Sequence, residues 1–301
     1  YVYERGNYET SHEFQCMNTS IGETEPVEVN TFGDCQLRSY KLALACTGEY
    51  AQFHGGTTES VLAEFSIAMT RVNGIYERDL GITMELVDNT DELIFFDSST
   101  DPYTNNSGGT MLNENQTTID EIIGFNNYDI GHVFSTGGGG IAQLNAPCGG
   151  GKARGVTGLG NPVNDPFYVD YVSHEIGHQF GANHTQNNDC NRSGSTAMEV
   201  GSGNTIMGYA GICSPNIQNN SDAYFHLISL DEMRDHVTIE SGATCGIVDA
   251  AINNTPEANA NFEGVDGKTI PESTPFELTG SATDPDGDML EYNWEQWDLG
   301  P

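Results

Sequence analysis

His174-Glu175-Ile176-Gly177-His178-Gln179-Phe180-Gly181-Ala182-Asn183-His184 is one unbroken stretch that holds three imidazoles, a carboxylate and a turn. Two His at i and i+4 of a helix lie one above the other on one face. His174 and His178 can therefore bind one Zn²⁺ ion, with Glu175 projecting beside it as the general base for a zinc-bound water. Gly181 can end the helix, because a residue without Cβ reaches the left-handed region at no steric cost. The chain then doubles back and His184 can supply a third ligand. Three protein ligands leave one tetrahedral position to water, the arrangement of a catalytic rather than a structural zinc site. The short form H-E-x-x-H alone is compatible with two solvated His on a surface helix. With Gly181 and His184 at their spacing, chance agreement falls to the order of one in ten thousand.

This stretch resembles the extended zinc signature of the metzincin metallopeptidases. A metzincin also carries a Met-turn beneath the metal, and Asn204-Thr205-Ile206-Met207-Gly208-Tyr209 fits it, with Met207 as the packing residue under the imidazoles. Tyr209 is similar to the astacin and serralysin pattern, which implies an oxyanion or switch role close to the metal; the alternative is an ordinary packed Tyr. Within the metzincins, the order of elements and the cysteines over about residues 37–246 resemble the reprolysin (adamalysin/ADAM-type) group. The resemblance implies an α/β (α+β) catalytic domain. Its twisted, mostly parallel sheet would have an antiparallel edge strand and pack on long helices, the zinc helix among them. It also implies disulfides Cys148–Cys245 and Cys190–Cys213. Two departures stand out: reprolysins usually carry Asp where Thr185 follows the third His, and do not usually carry Tyr at the position of Tyr209.

Composition narrows the setting. The 301 residues carry 44 acidic side chains against 10 Lys plus Arg, a net charge of −34. That argues against nucleic acid and anionic membrane surfaces as partners and suits a soluble, acidic extracellular protein acting on peptides, expected as a monomer. Carboxylate-rich loops could attract Ca²⁺, although a generally solvated acidic surface explains the charge as well. No apolar run is long enough to span a membrane, and no signal peptide is visible; the opening Tyr1-Val2-Tyr3-Glu4 lacks an initiator Met, so the chain reads as processed or trimmed. The expected disulfides place it in an exported setting. The glycosylation sequon Asn183-His184-Thr185 contains an expected metal ligand, which favours a bacterial over an animal source.

Seven cysteines leave one over after pairing. Cys46, in the apolar run Leu42-Ala43-Leu44-Ala45-Cys46, reads as a buried thiol. Cys16 has two readings: a bridge to Cys35 that ties down the N-terminal arm, or a thiolate that fills the open zinc position and holds a zymogen.

The division expected is an arm or propeptide remnant over 1–36, a catalytic domain over 37–249, a linker over 250–257 and a β domain over 258–301. Strands are expected at 38–50, 82–87, 93–96 and 130–135, and helices at 57–73 and 116–123. Gly139, Gly140, Ile141, Ala142, Gln143 and Leu144 lie where a metzincin has its edge strand, and can pair with an extended substrate backbone. Residues 148–165 read as a glycine-rich loop. Phe167–Phe180 reads as the zinc helix, and Ser229-Leu230-Asp231-Glu232 as a capping box opening a helix to about Glu240. His12, His54, His132, His226 and His236 read as packed or surface residues. Beyond Cys245, the alternation in 276–280 and 290–294 resembles the first strands of an Ig-like (PKD or cadherin-like) β-sandwich with Trp294 in its core. That sandwich would be truncated, since some 44 residues cannot complete one. The Asp284-Pro285-Asp286-Gly287-Asp288 turn is a Ca²⁺ candidate or a solvated turn.

Overall fold

β1 (Arg38–Cys46) shows why the apolar run has to be central. Leu42, Leu44 and Cys46 face one core and Ala43 and Ala45 the other, all with no exposed surface. A strand buried on both faces reads as a continuous apolar run rather than an alternation. In this computed structural model, which describes residues 16–17, 33–249, 253–259, 269 and 271–300, β1 pairs in parallel with β2 (Ile82–Leu86) and with β3 (Ile130–Ser135). The main sheet runs β2-β1-β3-β5-β4, with β5 (Gly155–Gly158) parallel to β3 and β4 (Gly140–Ala142) antiparallel to β5 at the edge. A short β6 (Ile247–Val248) pairs antiparallel with the start of β1. This is the mostly parallel α/β sheet with an antiparallel edge that was expected.

Several boundaries differ from the sequence reading. β1 stops at Cys46, and α1 (Gly48–Phe53) follows, capped by the Thr47 side chain. α2 (Thr58–Leu80) runs past Asn73 to a left-handed Gly81. Gly74 costs a helix about 1 kcal/mol, but the turn beyond it buries Ile75 and Tyr76, and Tyr76 donates to Ser173 O at 2.8 Å. α3 (Gly108–Ile122) starts eight residues before Gln116, because Met111 and Asn115 are fully buried under the sheet. The expected strand at 93–96 is instead a 3₁₀ turn over Thr90–Leu93 followed by one isolated bridge from Ile94 to Cys46. The loop expected over 148–165 contains β5, whose four residues are all buried. Its glycines mark close packing: a Cβ on Gly155 would fall 2.3 Å from Gln179.

The zinc-signature helix is built from α4 (Asn164–Phe167), a π-helical turn over Tyr168–Ser173, and α5 (His174–Gln179). Ser173 Oγ donates to Tyr168 O, five residues back, at 2.9 Å. α6 (Leu227–Thr238) begins before the expected capping box. His226 caps it, with Nδ1 accepting from Ile228 N at 3.1 Å, while Ser229 Oγ is buried without a partner.

Disulfides join Cys148 to Cys245 and Cys190 to Cys213, as the resemblance implied. Cys46 is a buried thiol in the core, and Cys35 lies 3.3 Å from Thr255 Oγ1 rather than bridged to Cys16. Over the described C-terminal residues a single two-stranded ladder forms, β7 (Glu257–Asn259) with β8 (Ser281–Thr283). The segments 276–280 and 290–294 carry no strand, and Trp294 is 45% exposed, not packed in a core. The residues just beyond them bond back to earlier parts of the chain: Glu295 Oε2 accepts from Leu227 N at 2.6 Å, and Gly300 N donates to Ala197 O at 2.7 Å. His12 and most of the 1–36 arm lie outside the described residues.

Candidate metal centre and active site

His174 and His178 stand one turn apart on α5, fully enclosed. The helix stops at Gly181, whose φ of +110° lies outside the range comfortable for other residues. Ala182 N then bonds back to Gly177 O at 3.0 Å, and the chain returns with His184 facing the first two imidazoles.

The three rings are held in the same way. Nδ1 of His174 lies 2.7 Å from Ile206 O, that of His178 2.7 Å from Ala182 O, and that of His184 2.9 Å from Asn191 O. A carbonyl only accepts, so each Nδ1 carries the proton and each Nε2 presents a lone pair. Those lone pairs converge: His178 Nε2 is 3.1 Å from both His174 Nε2 and His184 Nε2. Burial first, and for His178 and His184 the neighbouring rings as well, depress protonation. His174 is pushed down to about 4, His184 to about 3, and His178 well below the ordinary value. Three neutral imidazoles with lone pairs aimed at one point repel unless a cation lies among them. Zn–N bonds of about 2.0–2.1 Å in a tetrahedron imply N···N edges of about 3.3–3.4 Å, close to the spacing found. The donor set therefore fits a zinc ion.

A sulfur joins the three nitrogens from far upstream in the chain. Cys16 Sγ sits 3.4 Å from Nε2 of both His178 and His184, and the four donor atoms all lie within 4.8 Å of one another. Of the two readings of Cys16, the arrangement is the one with its sulfur against the imidazoles. The arm is seated by backbone bonding: Met17 N donates to Gly140 O at 2.9 Å, and Cys16 bridges Gly140 in parallel.

Glu175 is fully buried beside this cluster, and neither carboxylate oxygen makes a bond of ordinary geometry to a nitrogen or oxygen. Burial holds its carboxyl well above the usual carboxylate range; the Cys16 thiol is the group that opposes this. Met207 is fully buried against the helix that carries His174 and His178: a Cβ on Gly177 would lie 2.6 Å from its sulfur. The turn around it also supplies carbonyls: Ile206 O takes His174, and Met207 O accepts from Thr185 N at 3.2 Å. Tyr209 lies edge-on to His184, ring centroids 4.7 Å apart, and donates its hydroxyl to Cys16 O at 3.3 Å. Burial raises its phenol further above its ordinary value.

Of the expected substrate strand, Gly140, Ile141 and Ala142 form β4. Gly139 lies in the preceding turn, its carbonyl taken by Gly158 N at 2.9 Å, and Gln143 and Leu144 run on past the strand. His54, His132 and His236 are packed side chains away from the imidazole cluster. The Asp284, Asp286 and Asp288 carboxylates also converge, but Asp284 Oδ1 is already the acceptor for Asp286 N and Asp288 N in a tight turn.

Three supporting residues were not anticipated. Glu199 is buried and accepts from Asn204 N at 2.8 Å, Thr205 N at 3.0 Å, Thr205 Oγ1 at 2.6 Å and the Thr185 hydroxyl. It ties the residue after His184 to the start of the Met-turn. The sequence signal was Thr185 itself, a hydroxyl standing where reprolysins usually place a carboxylate. Glu232 on α6 accepts from Asn183 N at 2.8 Å and Asn183 Nδ2 at 2.7 Å, and burial pushes its carboxyl up to about 7. Asn191 lies against both His184 and Tyr209. No local pattern marks the last two: Glu232 meets Asn183 from 49 residues away, and Asn191 meets His184 and Tyr209 across irregular chain.

A triad of converging imidazoles next to a buried carboxylate, on an α/β sheet with an antiparallel edge, defines a metal-dependent hydrolase site. The chain belongs to metallo-peptidase family M12B, reprolysin-like, which matches residues 37–235. Among solved structures, one described as a chaperone–substrate complex is 15% identical at a TM-score of 0.42, over 66% of this chain and 34% of that one. Metalloproteinase-II from Bacteroides fragilis is 16% identical at 0.41, over 66% and 53%. Myroilysin is 13% identical at 0.28, over 58% and 53%. The chain thus spans about a third and about half of the first two. At these TM-scores the family match carries the assignment. No curated protein matches the chain.

Proposed function

We propose that this chain is an exported zinc endopeptidase, held latent by Cys16. The observation that carries the reading is the convergence of three Nε2 atoms with a buried carboxylate beside them. His174, His178 and His184 hold the ion, and their Nδ1–carbonyl bonds keep the rings in the ligating tautomer. When bound, zinc supplies Lewis acidity toward a water and a peptide carbonyl. Glu175 takes a proton from the attacking water and passes it to the leaving amine nitrogen. Tyr209 offers its hydroxyl to a peptide oxygen, and β4 offers its edge to the substrate backbone. Cys16 and Met17 occupy both places, sulfur among the imidazoles and Met17 N on Gly140 O, so peptide entry requires the arm to leave.

Export is supported by two disulfides, and no described helix is long and apolar enough to cross a membrane. The family match suits a protein acting on peptide substrates. Glu175→Gln is expected to abolish peptide hydrolysis while leaving zinc content at one per chain. A variant that kept both zinc and full activity would end this reading. Latency has its own test: Cys16 should resist alkylation until zinc is chelated, and Cys16→Ser should raise activity at least tenfold.

A further inference from the structure

The peptide carbonyl of Cys16 rests between two side-chain donors. Asn191 Nδ2 lies 3.2 Å from it and the Tyr209 hydroxyl 3.3 Å. The donors are joined to each other, Asn191 Nδ2 donating to Tyr209 Oη at 2.9 Å. A carbonyl accepts only, so it is the amide nitrogen of Asn191, not its oxygen, that faces the Cys16 carbonyl. Asn191 has a φ of +49°, a left-handed conformation that Asn tolerates better than most residues. Its own carbonyl accepts from His184 Nδ1 at 2.9 Å. One residue thus orients the third imidazole through its backbone and offers its side chain to a peptide oxygen next to that imidazole. The disulfide Cys190–Cys213 anchors both donors: Cys190 directly precedes Asn191, and Cys213 follows Ile212, whose N–H bonds to Tyr209 O at 3.0 Å.

We propose that Asn191 is a catalytic residue whose Nδ2, together with the Tyr209 hydroxyl, forms an oxyanion hole for the scissile carbonyl, which the Cys16 carbonyl fills in the latent chain. The assignment rests on the peptidase reading above. As the water oxygen bonds to the carbonyl carbon, the carbonyl π pair moves onto oxygen and the water proton passes to Glu175. Charge then grows on an oxygen already faced by two donors that need not reorganise. The donors meet a neutral carbonyl in the bound peptide and an oxyanion in the transition state, so their loss is felt in kcat more than in KM.

The test uses the full chain carrying Cys16→Ser, with Asn191→Asp, Asn191→Gly and Tyr209→Phe added singly. Asp keeps size and tolerance for positive φ but loses the N–H donors; Gly keeps the backbone conformation without a side chain. Both Asn191 variants should retain one zinc per chain and KM within about threefold, while kcat falls about 10²–10³-fold, the usual cost of one such donor. A phosphinic peptide, which mimics the oxyanion, should lose affinity by a similar factor. With Cys16 restored, Asn191→Asp should speed its alkylation, because the arm loses a latch. An active parent with Asn191→Asp unchanged in kcat and in phosphinic-peptide affinity would overturn this assignment alone. So would a loss of activity that tracks a loss of zinc in both Asn191 variants. A parent that binds zinc but cuts no peptide would overturn the peptidase reading, and this assignment with it.

Discussion

Two halves of the imidazole cluster reach the same point by different means. His174 and His178 are placed by one helical turn, and the helix itself is anchored through Gln179. Its Oε1 lies 2.7 Å from His132 Nδ1, and its Nε2 donates to Gly131 O at 2.9 Å. His184 comes from an irregular segment and is placed by polar ties to remote residues: Asn191 O on its ring, Glu232 on Asn183, and Glu199 on Thr185. Local periodicity positions the first pair, and buried carboxylates position the third ring. The first half should fail sharply and only when a ligand is lost; the second should fail by degrees, through residues that never touch a ligand.

The largest effect is expected from the helical half. His178→Ala removes the ring central to the cluster and should abolish zinc retention and lower kcat/KM by about 10⁴-fold or more, read by metal analysis and peptide cleavage. Glu199→Ala probes the other half. It leaves two hydroxyls and two backbone N–H groups buried without their acceptor, which should cost about 3–5 kcal/mol in urea unfolding and weaken zinc binding about 10–100-fold. Equal zinc affinity in that variant would break the comparison, because His184 would then need no such support.

Proton linkage tests the anchor of the helical half. Burial pushes His132 down to about 4 from an ordinary 6.5. Below pH 6.5 the unfolded chain binds a proton that the folded chain refuses until about pH 4. Stability from this group is therefore complete above pH 6.5 and lost as pH falls toward 4, by on the order of 3 kcal/mol. His132→Gln should flatten that part of the urea-midpoint profile measured from pH 8 to 4. The smallest effect is expected far from the cluster. Glu295→Ala removes an acceptor from the first turn of α6 and should lower stability by about 1 kcal/mol with zinc affinity unchanged.

What could be read in advance follows the same divide. The zinc helix, the central strand Leu42–Cys46 and the Met-turn were legible because their periodicity or spacing is local. The edge strand was located to its three residues plus flanks by the resemblance to metzincins, because the segment lies where that family has its edge strand. β5 was missed because a Gly-Val-Thr-Gly strand buried on all sides looks like a loop. The α6 cap was misplaced because His226 caps with an imidazole where Ser229 looked better suited. Glu199, Glu232 and Asn191 were invisible because each earns its role from a partner at least six residues away on another segment.

One hydrogen-bonded pair bears on how the protein is made. Asn183 opens the sequon Asn183-His184-Thr185, yet in the folded chain its side-chain nitrogen is committed to Glu232. Oligosaccharide transfer in a eukaryotic secretory pathway acts on the chain before it folds. A sugar on Asn183 would take that nitrogen first and prop the turn away from α6, leaving His184 without its footing. The fold thus carries a restriction on the factory: export through a compartment that glycosylates should yield protein poor in metal, and export of the same chain without glycosylation should restore it.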